Sequence, residues 1–219
     1  MSKLVLLTLT FLSVSATALE VPVNNLERWS VLSFSNIEPN KVSVDDDALL
    51  VSVRGSASPL IYQLDQPIRV TGVTVTASWS GELRIPEDAT EGEKNADDFV
   101  LKLGLVEAGD QRLNWFQRRI AADWIKQLYK LAPKDSGVSR INFLSTTQDK
   151  EELGKSRTHP LSDLLYETRI LHLETTGPFV MSHEFSTPVE TLGLWLSIDG
   201  DDTGSDFDLR IESITLHTE

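Results

Sequence analysis

The sequence predicts an all-β protein: a β-sandwich of jelly-roll type with one amphipathic helix. Three observations carry this. Apolar and polar residues alternate in segment after segment. Turn-forming pairs such as Ser58-Pro59, Gln66-Pro67, Thr187-Pro188 and Asp199-Gly200 interrupt those segments at short intervals. Helical spacing of apolar residues is convincing in only one stretch. Side chains of a strand alternate between faces, so period-two patterning marks strands with one buried face.

The first eighteen residues read as a signal peptide. Lys3 is followed by the apolar run Leu4–Val14 and then by Ala16-Thr17-Ala18, the small-x-small pattern cut by signal peptidases. The run is shorter than the roughly 20 residues of a membrane-spanning helix, and no later segment approaches that length. The sequence therefore predicts an exported chain, periplasmic or extracellular, with residues 19–219 as a single domain. It contains no cysteine, which excludes disulfides, thiolate metal sites and a cysteine-linked lipid anchor.

Short strands are expected over 31–34, 49–53 and 60–64, and a stronger one over 73–79. In the last, Val73, Val75, Ala77 and Trp79 share a face opposite Thr74, Thr76 and Ser78. Trp79 and Tyr62 are in phase with their apolar neighbours and belong to the core. Residues 82–98 are acidic and irregular and read as a loop. Phe99, Leu101, Leu103 and Leu105 restart the alternation. The helix follows over 114–131: Trp115, Phe116, Ile120, Trp124, Leu128 and Leu131 recur at helical spacing, Asn114 is its N-cap and Pro133 stops it. Such a helix is expected to cover a sheet. Its Arg118, Arg119, Lys126 and Lys130 leave a partner-binding or membrane-surface role open. Strands over 141–144, 169–175, 179–185, 192–198 and 207–211 complete the pattern.

The chain holds 33 acids against 20 bases, a net charge of −13. Arg118-Arg119 is a pair and not a patch. Nucleic acid and anionic membranes are poor partners for this balance.

Ala48-Leu49-Leu50-Val51-Ser52-Val53 followed by Gly55-Ser56-Ala57-Ser58-Pro59-Leu60, the strand ending at Trp79, and Asp97-Asp98-Phe99 after an acidic loop are three local patterns. With the late strand and turn from Leu194-Trp195-Leu196 to Asp202-Thr203, they resemble an uncharacterised bacterial exported family, the domain-of-unknown-function 3047 group. The resemblance covers about half of the chain after residue 18 and departs between Gln111 and Leu165. It implies a jelly-roll-like sandwich similar in outline to carbohydrate-binding modules, and it implies no reaction.

Two places stand out as candidate sites. Asp199, Asp201, Asp202, Asp206 and Asp208 crowd one turn, and alternating carboxylates can supply the oxygen ligands that calcium wants. Arg210 at the twelfth position rules out an EF-hand. The alternative is a solvated connection between antiparallel strands. Trp195 is out of phase with Leu192, Leu194, Leu196 and Ile198 and shares its face with Thr191, Gly193 and Ser197. That places a large aromatic on a small, polar face, where a sugar ring can stack, unless the helix covers it. Lys102, His172 and Glu174 are its candidate polar neighbours if their strands lie alongside.

Asp97 and Asp98 are adjacent. Neighbours on a strand point to opposite faces, so they are not expected to share one substrate. Nucleophile-elbow and zinc-protease patterns are absent. These residues favour a non-catalytic binding module for a glycan or other envelope ligand. An envelope interaction protein without a small ligand, and a polysaccharide-acting enzyme, are the alternatives.

Overall fold

A computed structural model describes residues 17–134, 136–160 and 162–219, with side chains for all of these except Arg118 and Ile120. The leader expected over 1–18 lies outside them but for Thr17 and Ala18. Those two open strand β1 (Thr17–Val21) and pair with Thr218 and His217. The remaining strands are β2 (Trp29–Val31), β3 (Lys41–Asp45), β4 (Ala48–Arg54), β5 (Leu60–Glu82), β6 (Phe99–Gly109), β7 (Gly137–Thr147), β8 (Ser156–Thr158), β9 (Leu165–His172), β10 (Gly177–Asp199) and β11 (Asp206–Thr218).

All strands join one sheet, whose central path runs β3-β4-β11-β5-β10-β6-β7-β9-β8. It makes a sandwich because β5 and β10 are each 23 residues long and serve both layers. The first half of β5 pairs with the second half of β10, beside β2 and β6; the second half of β5 pairs with the first half of β10, beside β11. The pairs Gln66-Pro67 and Thr187-Pro188, expected to separate strands, instead lie inside these continuous ones. Both fall at register shifts in the β5–β10 ladder. A proline has no N–H to donate, and a bulge is where a ladder tolerates that loss while bending the strand.

The predicted apolar faces meet between the layers. Leu49, Val51 and Val53 of β4, Val73, Val75, Ala77 and Trp79 of β5, Leu101, Leu103 and Leu105 of β6, and Leu194, Leu196 and Ile198 of β10 form one buried cluster. Tyr62 is buried in it as expected. Residues 83–98 contain no strand, also as expected.

The helical stretch begins where the spacing puts it. Asn114 Oδ1 accepts from the Gln117 N–H at 2.9 Å, and Gln117 Oε1 accepts from the Asn114 N–H at 2.8 Å. The stretch is divided at Ala121 and Ala122, both extended, into α1 (Trp115–Ile120) and α2 (Asp123–Lys130). The division splits the apolar stripe. Leu128 and Leu131 are buried against the outer face of the β10–β6–β7 layer, with Trp124 partly so, while Trp115 and Phe116 remain exposed.

Candidate functional site

Register builds the site. Trp195 of β10, Gly104 of β6, Phe143 of β7 and Glu167 of β9 lie in one row across the sheet; Ser197, Lys102, Ser145 and Arg169 form the next. These residues share the face that α2 covers. Gly104 is what lets the row close, because a Cβ there would stand 2.4 Å from Ile141 Cγ2 and 2.8 Å from Phe143 Cε1.

Beside this face lies a cavity of about 350 Å³. Phe34, Trp124, Phe143 and Trp195 give it aromatic walls. Asp97, Lys102, His159, Glu167, Asp199, Asp201 and Asp202 give it charged ones.

The charged side is organised around Lys102, which is buried and sits over the Phe99 ring at 3.9 Å. Its Nζ donates to Asp97 Oδ1 at 3.0 Å and to Glu167 Oε1 at 3.1 Å. Arg157 Nε donates to Glu167 Oε2 at 2.8 Å, and His159 Nε2 lies 2.8 Å from Asp97 Oδ2. A buried lysine is tolerable only with such partners. Burial works against the charge on Lys102, but the Glu167, Asp97 and Asp199 carboxylates outweigh it and raise its pKa. Burial likewise pushes Asp97 and Glu167 up. The His159 bond and the Lys102 charge hold Asp97 below the usual range, and Lys102 with Arg157 hold Glu167 there.

The acidic turn behaves differently. Burial pushes Asp199 up to about 8 despite the pull of Lys102, and Asp201, Asp97 and Asp98 add to the rise. Burial and the Asp98 charge push Asp201 up to about 6. These two carboxylates are held up rather than compensated.

Asp97, His159 and Glu167 bring ligand atoms within 4.8 Å of one another. Both carboxylates of the set already hold the Lys102 ammonium, and Arg157 adds a second cation. A divalent ion would have to share that space with fixed positive charge, so the donor set does not fit a resident metal.

The expected five-aspartate calcium site is not assembled. Asp206 pairs with Arg84 at 3.1 Å and Asp208 with Arg54 at 3.0 Å, on strand positions beyond the turn. Asp199, Asp201 and Asp202 alone line the cavity. Asp98 ties the turn down by accepting from the Asp202 and Thr203 N–H groups. Asp97 and Asp98 go separate ways as expected, one to the cavity and one to the turn, although they lie in the loop before β6 and not on a strand.

Trp195 is on the expected face but is no open platform. It is 3% exposed and packs with Ile61, Leu128, Leu131 and Phe143. The small face-mates do not make it flat and open: Leu128 of α2 is buried in the same cluster as the indole, and Ser197 lines the cavity. Lys102 does share its face, one row away. His172 and Glu174 do not join the site: His172 Nε2 lies 3.1 Å from the Gln148 carbonyl oxygen, Glu174 is exposed past the end of β9, and neither lines the cavity. Trp124, Phe143, Asp97, His159 and Glu167 went unnoticed as a group. Two signals were available: a lysine at the centre of the apolar run from Phe99 to Leu105, and a glutamate inside β9.

No family model matches this chain, and no curated protein matches it. Solved structures do. A family 29 carbohydrate-binding module from Piromyces equi covers 94% of this chain and 93% of its own at 11% identity, with a TM-score of 0.37. A family 15 xylan-binding module covers 93% and 97% at 9% identity, with a TM-score of 0.38. The exoplasmic/lumenal domain of VIP36, in a form bound to Ca2+ and Man3GlcNAc, covers 92% and 88% at 11% identity, with a TM-score of 0.37. At these scores the site rests on its own geometry.

Proposed function

We propose that this protein is an exported glycan-binding module whose ligand enters the cavity between α2 and the β10–β6–β7–β9 face. One observation carries the reading: aromatic walls from Trp124, Phe143 and Trp195 face carboxylates and a lysine across about 350 Å³. Pockets for small ligands pair an apolar lining with a few fixed polar groups. A sugar ring offers C–H faces to aromatic rings and hydroxyl groups to carboxylates, so it satisfies both walls at once. Lys102, Asp97 and Glu167 are already paired and act as a rigid polar wall, while Asp201 is the acceptor open to a hydroxyl. Export is supported by the leader pattern.

A glycan array followed by titration calorimetry tests this. Trp124→Ala and Asp201→Asn are expected to weaken binding roughly tenfold or more while leaving the melting temperature nearly unchanged, because both side chains are part-exposed. A wild-type protein that captures no glycan, or variants that bind as well as wild type, defeats the proposal. Running the titrations with calcium and with chelator decides whether Asp199, Asp201 and Asp202 take the calcium expected of the turn.

A second reading has one specific support. Asp199 and Asp97 line the same cavity, where burial holds Asp199 up near 8 while His159 and Lys102 hold Asp97 low, and carboxylates pushed apart in this way serve as acid and base in glycoside hydrolysis. Release of reducing ends from a bound glycan, lost in Asp199→Asn, converts the module into an enzyme.

A further inference from the structure

The segment 111–134 is unlike the rest of the chain. Of the chain's 20 bases, six lie here: Arg112, Arg118, Arg119, Lys126, Lys130 and Lys134. Of its 33 acids, one does, Asp123. In the same segment stand the two most exposed large apolar side chains among the described residues, Trp115 at 72% and Phe116 at 62%. The Arg119 guanidinium lies over the Trp115 ring, 5.2 Å from its centroid. In the same segment, Leu113, Lys126, Tyr129 and Lys130 line a crevice of about 410 Å³.

Exposed aromatics in a base-rich segment have two common readings, a protein groove and a membrane surface. A helix that docks in a protein groove presents a stripe of residues three and four apart. Trp115 and Phe116 are adjacent, so they leave a helix in directions about 100° apart and form no stripe. A bilayer interface accepts aromatic rings at any azimuth, and its anionic headgroups attract the surrounding bases. The chain's net charge of −13 opposes approach from afar. At physiological salt, however, charges act over about 8 Å, so the bases nearest the lipid decide.

We propose that α1 and the adjoining base-rich crevice of α2 form a docking site for an anionic membrane surface, with Trp115 and Phe116 entering the headgroup layer. This is a surface attachment and not a span: no helix among the described residues is long and apolar enough to cross a membrane. The site is separate from the cavity, so attachment leaves the glycan-binding reading standing or falling on its own.

Co-sedimentation with vesicles tests it. The protein is expected to bind vesicles of phosphatidylcholine mixed with phosphatidylglycerol, to ignore phosphatidylcholine alone, and to release in raised salt. Replacing Trp115 and Phe116 together by serine, or Arg119 and Lys126 together by glutamate, is expected to weaken binding roughly tenfold or more. Melting temperatures should be unchanged, because the serine sites are exposed. Failure of the wild type to bind the anionic vesicles overturns the proposal, as does undiminished binding by both variants. Sedimentation velocity without vesicles adds one more outcome. A dimer that the serine variant dissolves assigns the patch to a second copy of the chain and overturns the membrane assignment.

Discussion

Trp195 touches both the cavity and the cluster beneath α2, and it is 3% exposed. Truncation removes its packing against Ile61, Leu128 and Phe143. Trp195→Ala is therefore expected to cost roughly 3–5 kcal/mol in urea unfolding, the range for a core aromatic. Trp124→Ala, on the open side of the same cavity, should cost far less. Asp199 offers a test with a definite sign. Its folded pKa is raised from 3.8 to about 8, so the folded state holds a proton that the unfolded state releases. Stability that depends on this proton is fully present below about pH 4 and falls as the pH climbs towards 8. Asn keeps the neutral shape at every pH. Asp199→Asn is thus expected to be more stable than wild type at pH 8, by roughly 1–3 kcal/mol after allowance for its contact with the open cavity, and equal to it near pH 4. Paired urea titrations at the two pH values measure this. A wild type that is more stable at pH 8 would mean that Asp199 is ionised against a cation.

At the scale of elements, β6 is where packing and site meet. One face carries Leu101, Leu103 and Leu105 into the core between the layers; the other carries Lys102 and Gly104 to the cavity side. Gly104 holds no unusual backbone angle, and its role is space. A methyl there would overlap Ile141 and Phe143. Gly104→Ala is expected to destabilise by about 1–3 kcal/mol through overpacking and to push the Phe143 ring into the cavity. Urea unfolding reads the first effect, and weakened ligand binding in calorimetry reads the second. The division between α1 and α2 matters at the same scale. Two extended alanines turn one amphipathic stripe into a buried half that walls the cavity and an exposed half that faces outward.

For the whole molecule, the carboxylates fall into two groups that respond oppositely to pH. Asp97 and Glu167 are held low by Lys102 and its neighbours, so what they contribute is present above about pH 4 and lost as acid protonates them. Asp199 and Asp201 are held up, to about 8 and about 6, so the cost of ionising them grows as the pH rises. The two trends bracket a maximum. Melting temperature against pH is expected to peak at about pH 4 and to decline on both sides. A profile that peaks at pH 8 or above contradicts this. Lys102→Met tests the network as a whole. It strands the buried Glu167 and the half-buried Asp97 and is expected to cost roughly 3–5 kcal/mol near neutral pH, with less loss at pH 4 where those acids are nearer protonation.

What the sequence by itself determined is local. Alternation from Val73 to Trp79, Leu101 to Leu105 and Leu194 to Ile198 assigned strands and inward faces correctly, because a strand's two faces follow from its own backbone geometry. It also put Trp195 and Lys102 opposite the leucine faces. At the ends it failed: register shifts in the β10–β6 ladder leave Leu192 in the cluster with Trp195 and Leu128, and Phe99 under the Lys102 ammonium. Tertiary structure alone decided what lay on the far side of those faces. Asp97 meets His159 across 62 residues, and Lys102 meets Glu167 across 65. Such meetings depend on which strands neighbour each other, and no period within a strand encodes its neighbours. The same is true of the prolines in β5 and β10. Proline's turn preference is local, set by its fixed φ and missing N–H, whereas a long bent strand shared by two layers is stabilised by ladders on both sides and keeps its proline at a bulge. Trp195 was legible as an aromatic out of phase. Whether it met water or α2 was settled by where two alanines turned the helix.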